Sequence, residues 1–103
     1  MTATLPILEF ANATFLPGRN TTVRRGTRWH GVAVARLRLG DGRLSAPVGL
    51  ETELRVFRDI DADALRFEHD PDCRTPQGLL ARLRIHYPGF SDDEIVTLCH
   101  FHV

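Results

Sequence analysis

The chain has 103 residues, 43% hydrophobic and 25% charged, with 13 basic residues balancing 13 carboxylates. That fits one globular domain over residues 1–103, able to bury roughly 65% of the surface its unfolded chain exposes. No apolar run approaches the roughly 20 residues that a membrane span needs, and no basic start leads into an apolar stretch, so neither a membrane partner nor a secretory signal is expected.

Charge is unevenly placed. Residues 1–50 carry seven arginines against Glu9 and Asp41, whereas residues 51–103 carry six against eleven carboxylates. Either a basic surface faces an anion such as nucleic acid, or the two halves neutralise each other across the fold. Every basic residue is Arg, which forks onto phosphates and stacks on bases. Cys73 and Cys99 have no C-x-x-C spacing, which suits a reducing cytoplasm and small apolar thiols.

In chain order, residues 1–8 form an apolar lead-in, and Glu9 to Leu16 reads as two helical turns ended by Pro17-Gly18. Asn20 to Arg24 reads as a strand. Gly26 to Gly31 is a turn carrying Trp29 and His30. Val32 to Leu39 reads as a strand, and Gly40-Asp41-Gly42 signals a hairpin whose return arm, Leu44 to Leu50, is interrupted by Pro47. Glu51 to Arg58 is a further strand. Asp59 to Leu65 reads as one or two helical turns, and Phe67 to Arg74 as an acidic loop. Thr75-Pro76 is a helix start, followed by Leu79, Leu80, Leu83 and Tyr87 at helical spacing and stopped by Pro88-Gly89. Ser91 to Glu94 is a turn, and Ile95 to Val103 a closing strand. The expected class is α+β: a small, partly open β-barrel with two or three short helices packed at its ends.

Within Gly18 to Gly26, strand alternation turns Asn20, Thr22 and Arg24 to one face, and Thr21, Val23 and Arg25 to the other. A hydroxyl and a guanidinium on one face, with Arg19 at the mouth of the turn, would make a compact polar site. A solvated edge strand gives the same pattern.

Several strings carry a resemblance: Leu16 to Arg25, the helix Leu79 to Leu83 running into Tyr87-Pro88-Gly89, and Glu94 to Thr97. In this order they resemble the ASCH domain of the PUA-like superfamily, and within it the short bacterial acetylcytidine amidohydrolases. The family places a Lys after a turn glycine, then a Thr and an Arg. One alignment sets these on Asn20, Val23 and Arg25; the preferred one, with a residue deleted, sets them on Arg19, Thr22 and Arg24. The family's acidic residue falls on Asp72, with Asp70 and Glu68 as neighbours. The implied reaction is hydrolysis of the acetyl amide on the exocyclic nitrogen of cytidine, with Thr22 supplying a hydroxyl, Asp72 relaying a proton and Arg24 holding the oxyanion or the base. Arg19 departs from the family, because arginine does not give up its proton as a buried lysine can.

The alternative on the same fold is a non-catalytic module for RNA or a modified nucleoside. Arg19, Arg24, Arg25 and Arg28 would meet phosphates, and Trp29 or Tyr87 would stack on a base. For Trp29 and Tyr87 alike, a place in the core is the simpler reading. His100 and His102 share a strand face, but no third ligand lies nearby in sequence, and neither a metal nor another cofactor is expected.

Overall fold

In the computed structural model, which describes residues 4–103, six strands form two three-stranded sheets. The larger sheet has the order β2 (Arg19–Arg25), β6 (Ile95–His102), β5 (Glu51–Val56), antiparallel throughout. The smaller joins β1 (Ile7–Leu8), β3 (Val34–Leu37) and β4 (Val48–Gly49), with β1 parallel to β3. One helix, α1 (Pro76–His86), and three 3₁₀ turns at Phe57–Asp59, Asp63–Leu65 and Pro71–Cys73 complete the described elements.

The larger sheet is the middle layer. Its register sets Val23 opposite Leu98 on one face, and these pack with Val96 against Leu79 and Leu83 of α1 and against Phe57, Leu65 and Phe90. The other face presents Cys99 and Phe101, which meet Leu8, Ala35, Leu37, Leu50 and Trp29. Val96, Leu98 and Cys99 have no exposed surface. Burying each of the two aliphatic side chains contributes about 1.5–3 kcal/mol.

The α+β class stands, but the sheets do not close into a barrel. Pro47 directly precedes β4, which is only two residues long, too short to continue the ladder. The helical element also lies on a sheet face, not at a barrel end. Between Glu9 and Leu16 no helix forms. Phe10 and Phe15 meet edge to face at 5.1 Å and both pack on Phe101, whereas a helix would turn residues five apart to divergent sides.

Thr75 caps α1 as its sequence implies: its hydroxyl accepts from the Gly78 N–H at 3.1 Å, and Pro76 occupies the first turn. Entry to β2 is fixed by Asn20, fully buried, whose amide donates to the Leu16 and Gly18 carbonyls and accepts from the Leu16 N–H. Gly18 takes φ +84, open to glycine at little cost, and exchanges two backbone hydrogen bonds with Val103.

Candidate functional site

The acidic stretch is not a solvated loop. Residues 67–69 run beside the start of β2: the Thr21 N–H donates to the Phe67 carbonyl at 2.7 Å, and the His69 N–H donates to the Thr21 carbonyl at 3.0 Å. Pro71 and the turn after it then carry the chain off towards α1. Beyond Thr21 the outer edge of β2 therefore loses its neighbour, and a cleft opens there. Thr22 and Arg24 form one wall, Glu68 and Asp70 another, Arg82 and Leu83 of α1 a third, and Glu9 to Asn12 the fourth. Its interior is about 110 Å³. That is below the roughly 300–1,000 Å³ of sites that engulf a whole small molecule, so it suits the head of a ligand whose remainder lies at the mouth.

Arg24 is the unusual group. Its guanidinium lies over the Phe10 ring, 4.9 Å from the centroid. Its Nε is the buried side-chain atom that lacks a hydrogen-bond partner among the described residues. Burial lowers its pKa, against the opposing pull of Cys99 and Glu68, but an arginine stays charged. An unpaired guanidinium in a concave site is a donor set waiting for an acceptor.

The two carboxyls beside it are driven apart. Glu68 is 2% exposed, and burial pushes its pKa up to about 8; the Asp70 carboxylate adds to this while Arg24 and Arg74 oppose it. Burial would also raise Asp70, but the Asp72 N–H at 3.0 Å, the Arg82 guanidinium at 2.7 Å and Asn12 outweigh it and hold Asp70 below its ordinary value. At neutral pH one carboxyl is thus mainly protonated and the other ionised, the pattern that separates an acid from a base in many sites. His69 lies beside Glu68, with its ring packed on Phe10 and Phe15. Its Nδ1–H donates to the Thr14 carbonyl at 3.0 Å, and its Nε2 faces Glu68 at 3.3 Å. Burial depresses its pKa, which favours the neutral ring.

Of the residues singled out from sequence, Thr22 and Arg24 line this cleft, and Arg25 and Tyr87 stand at its rim. Arg25 donates to Glu94 at 2.7 Å and lies 4.9 Å from the Tyr87 centroid. Asp72 sits outside, its side chain 81% exposed and only 3.5 Å from Arg82. Arg19 points to the opposite face of β2, towards Glu51 at 3.9 Å, because an odd-numbered residue cannot share a strand face with Thr22. Asn20, the other position for the family Lys, is consumed in the turn. Arg28 is exposed in the loop after β2 and does not line the cleft, and Trp29 is buried in the core between the sheets. His100 is committed on both nitrogens, to the Thr21 hydroxyl at 2.8 Å and to Glu53 at 2.9 Å, while His102 is exposed.

Glu68 and Asp70 were legible only as neighbours of Asp72, and Phe10 and Arg82 were not legible at all. Both cysteines are buried, with pKa values pushed by burial to about 12 for Cys73 and about 11 for Cys99, so neither is a reactive thiolate. No described helix is long and apolar enough to cross a membrane. Comparison with protein-family models, with curated proteins and with solved structures gives no match.

Proposed function

We propose that the cleft binds a pyrimidine nucleoside whose exocyclic amine is acylated, either free or within RNA, in a PUA-like module. One observation carries the reading: the buried Nε of the Arg24 guanidinium, which lies over Phe10, has no acceptor among the described residues. A base carbonyl supplies that acceptor without bringing a further full charge to Asp70. The protonated Glu68 offers a donor to a ring nitrogen or a second carbonyl, and Tyr87 at the rim offers a stacking face. Parts of the strings that resemble the ASCH domain line this same cleft or its rim: Thr22 to Arg25 of β2, Leu79, Arg82 and Leu83 of α1, and Tyr87, with Glu94 held beside the rim by Arg25.

A second reading, hydrolysis of the acyl amide, is favoured by the opposite protonation of Glu68 and Asp70 beside the Thr22 hydroxyl. Water would attack the acyl carbon, giving up a proton to the Asp70 carboxylate that later returns to Glu68, and the carbon–nitrogen bond would break. Arg24 would hold the oxyanion, and Glu68 would pass its proton to the leaving nitrogen. In this scheme Glu68 takes the proton-carrying role, since Arg19 faces the other side of β2. Free carboxylic acid and cytidine would be the products.

A panel of acylated and unmodified nucleosides, each assayed for thermal stabilisation and for acid release, separates the readings. Stabilisation without turnover supports the binding module, and turnover lost in Glu68→Gln supports the hydrolase. Binding to RNA oligomers that weakens steeply with salt would mark a nucleic-acid ligand. Neither stabilisation nor turnover with any nucleoside or RNA would remove the proposal.

A further inference from the structure

The larger sheet has a second open edge. β2 is partly covered by residues 67–69, but β5 has no neighbour on its outer side. The ladder tells which peptide groups face outward. The Phe57 N–H donates inward to the Glu94 carbonyl at 2.9 Å, in register with the pairing of Glu51 to His100. By antiparallel alternation Glu51, Glu53 and Arg55 bond to β6, and Thr52, Leu54 and Val56 direct their N–H and C=O groups outward. Those outward groups have no backbone partner among the described residues.

Natural sheet edges are normally blunted by proline, a bulge or charged side chains. The run Glu51-Thr52-Glu53-Leu54-Arg55-Val56 has neither proline nor bulge, its pairing with β6 is continuous, and its charges are of both signs, so a second copy can meet them with opposite charge. Leu54 is 39% exposed at its centre. The charges on either side of Leu54 have opposite sign, and Glu53 is held in place by His100 at 2.9 Å.

We propose that β5 pairs antiparallel with β5 of a second copy about a two-fold axis at Leu54, joining the two larger sheets into one of six strands. The register follows from charge. With the axis at Leu54, each Glu53 lies opposite the partner's Arg55, the two Leu54 side chains meet, and Thr52 faces the partner's Val56. Moving the axis to Glu53 or to Arg55 sets like charges against each other. The Arg55 guanidinium, 2.9 Å from its own Glu53, reaches the partner's Glu53 from the same face. Directly opposite residues at such a non-hydrogen-bonded pair have Cα atoms about 4.5 Å apart, which brings their side chains together. The interface is isologous and small, so the dimer forms in a concentration-dependent way.

Sedimentation velocity over roughly 10 μM to 1 mM tests this, spanning the range of a weak interface. The wild-type chain is expected to pass from monomer to dimer. Arg55→Glu sets carboxylates opposite each other and should leave a monomer throughout, while Glu53→Arg combined with Arg55→Glu restores complementarity and the dimer. Leu54→Pro removes only an outward N–H, which an edge strand tolerates, and should also abolish association. Circular dichroism melting checks that each variant is folded; should Leu54→Pro not fold, the Arg55→Glu pair of experiments decides. A wild-type monomer across the whole range, or a dimer undiminished in Arg55→Glu, overturns the proposal.

Discussion

Arg24 lies over Phe10 at 4.9 Å with its Nε buried and unpartnered among the described residues, although Glu68 and Asp70 line the same cleft. Glu68 accepts the Asp70 N–H at 3.1 Å and is kept mainly protonated by burial, and Asp70 is already taken by Arg82. The fold therefore holds a charge in place at a cost that an acceptor entering the cleft would relieve.

A trade between stability and binding follows. Arg24→Met keeps the length of the side chain and its contact with Phe10 but removes the desolvated charge. The lost cation–π contact is worth about 2 kcal/mol at a desolvated site, and the relieved burial of an unsatisfied group about 1–3 kcal/mol, so the two nearly offset each other. The variant should melt at or slightly above the wild type, at roughly 4–8 °C per kcal/mol of net change for a domain of this size, and should lose ligand binding. Differential scanning calorimetry with and without ligand reads both effects. A lower melting temperature with binding retained would mean that Arg24 serves the fold alone.

Glu68 sets a pH dependence with a definite sign. Its folded pKa of about 8 lies above the roughly 4.3 of an unfolded glutamate. Its contribution to stability is therefore fully present below the unfolded value and is lost as pH rises through about 8. His69, held below its ordinary value, contributes in the opposite sense: its share is present above the unfolded value of about 6.5 and lost as pH falls. The clean observable is the difference between Glu68→Gln and the wild type. That difference should move in favour of the variant by at least about 4 °C between about pH 5 and pH 8.5. A difference independent of pH would show that Glu68 ionises normally.

Gly78 runs against its helix propensity. Alanine is favoured over glycine inside a helix by about 1 kcal/mol. At this position a Cβ would collide with the Asp72 carbonyl oxygen and crowd the Thr75 cap. Gly78→Ala should therefore destabilise the protein by about 1–3 kcal/mol, measured by urea unfolding, and shift the Pro71–Cys73 turn against which α1 starts. Equal or greater stability would contradict the close approach of that turn.

Local signals in the sequence reached the elements whose causes are local. The Thr75-Pro76 cap, the alternation of Asn20 to Arg24 and the closing strand each depend on neighbours in the chain, and each lies where it was read. The same alternation separates Arg19 from Thr22, because residues three apart in a strand face opposite ways. What stayed hidden depends on distant partners. Glu68, His69 and Asp70 look solvated in a row of acids, and they are buried only because Thr21, Thr14 and Arg82 receive them. Phe10 and Phe15 lack a helical period because their common contact is Phe101, more than eighty residues away.

The central claim is that the ligand enters the cleft beside Arg24. Titrating the ¹⁵N-labelled protein with N4-acetylcytidine and following its amide and arginine Nε–H resonances tests this directly. The predicted result is saturable movement of the Arg24 Nε–H together with the amides of Thr22, Val23, Glu68, Asp70 and Arg82. Movement confined to Arg19, Glu53 and His100 on the opposite face, or none up to the solubility of the nucleoside, would contradict it.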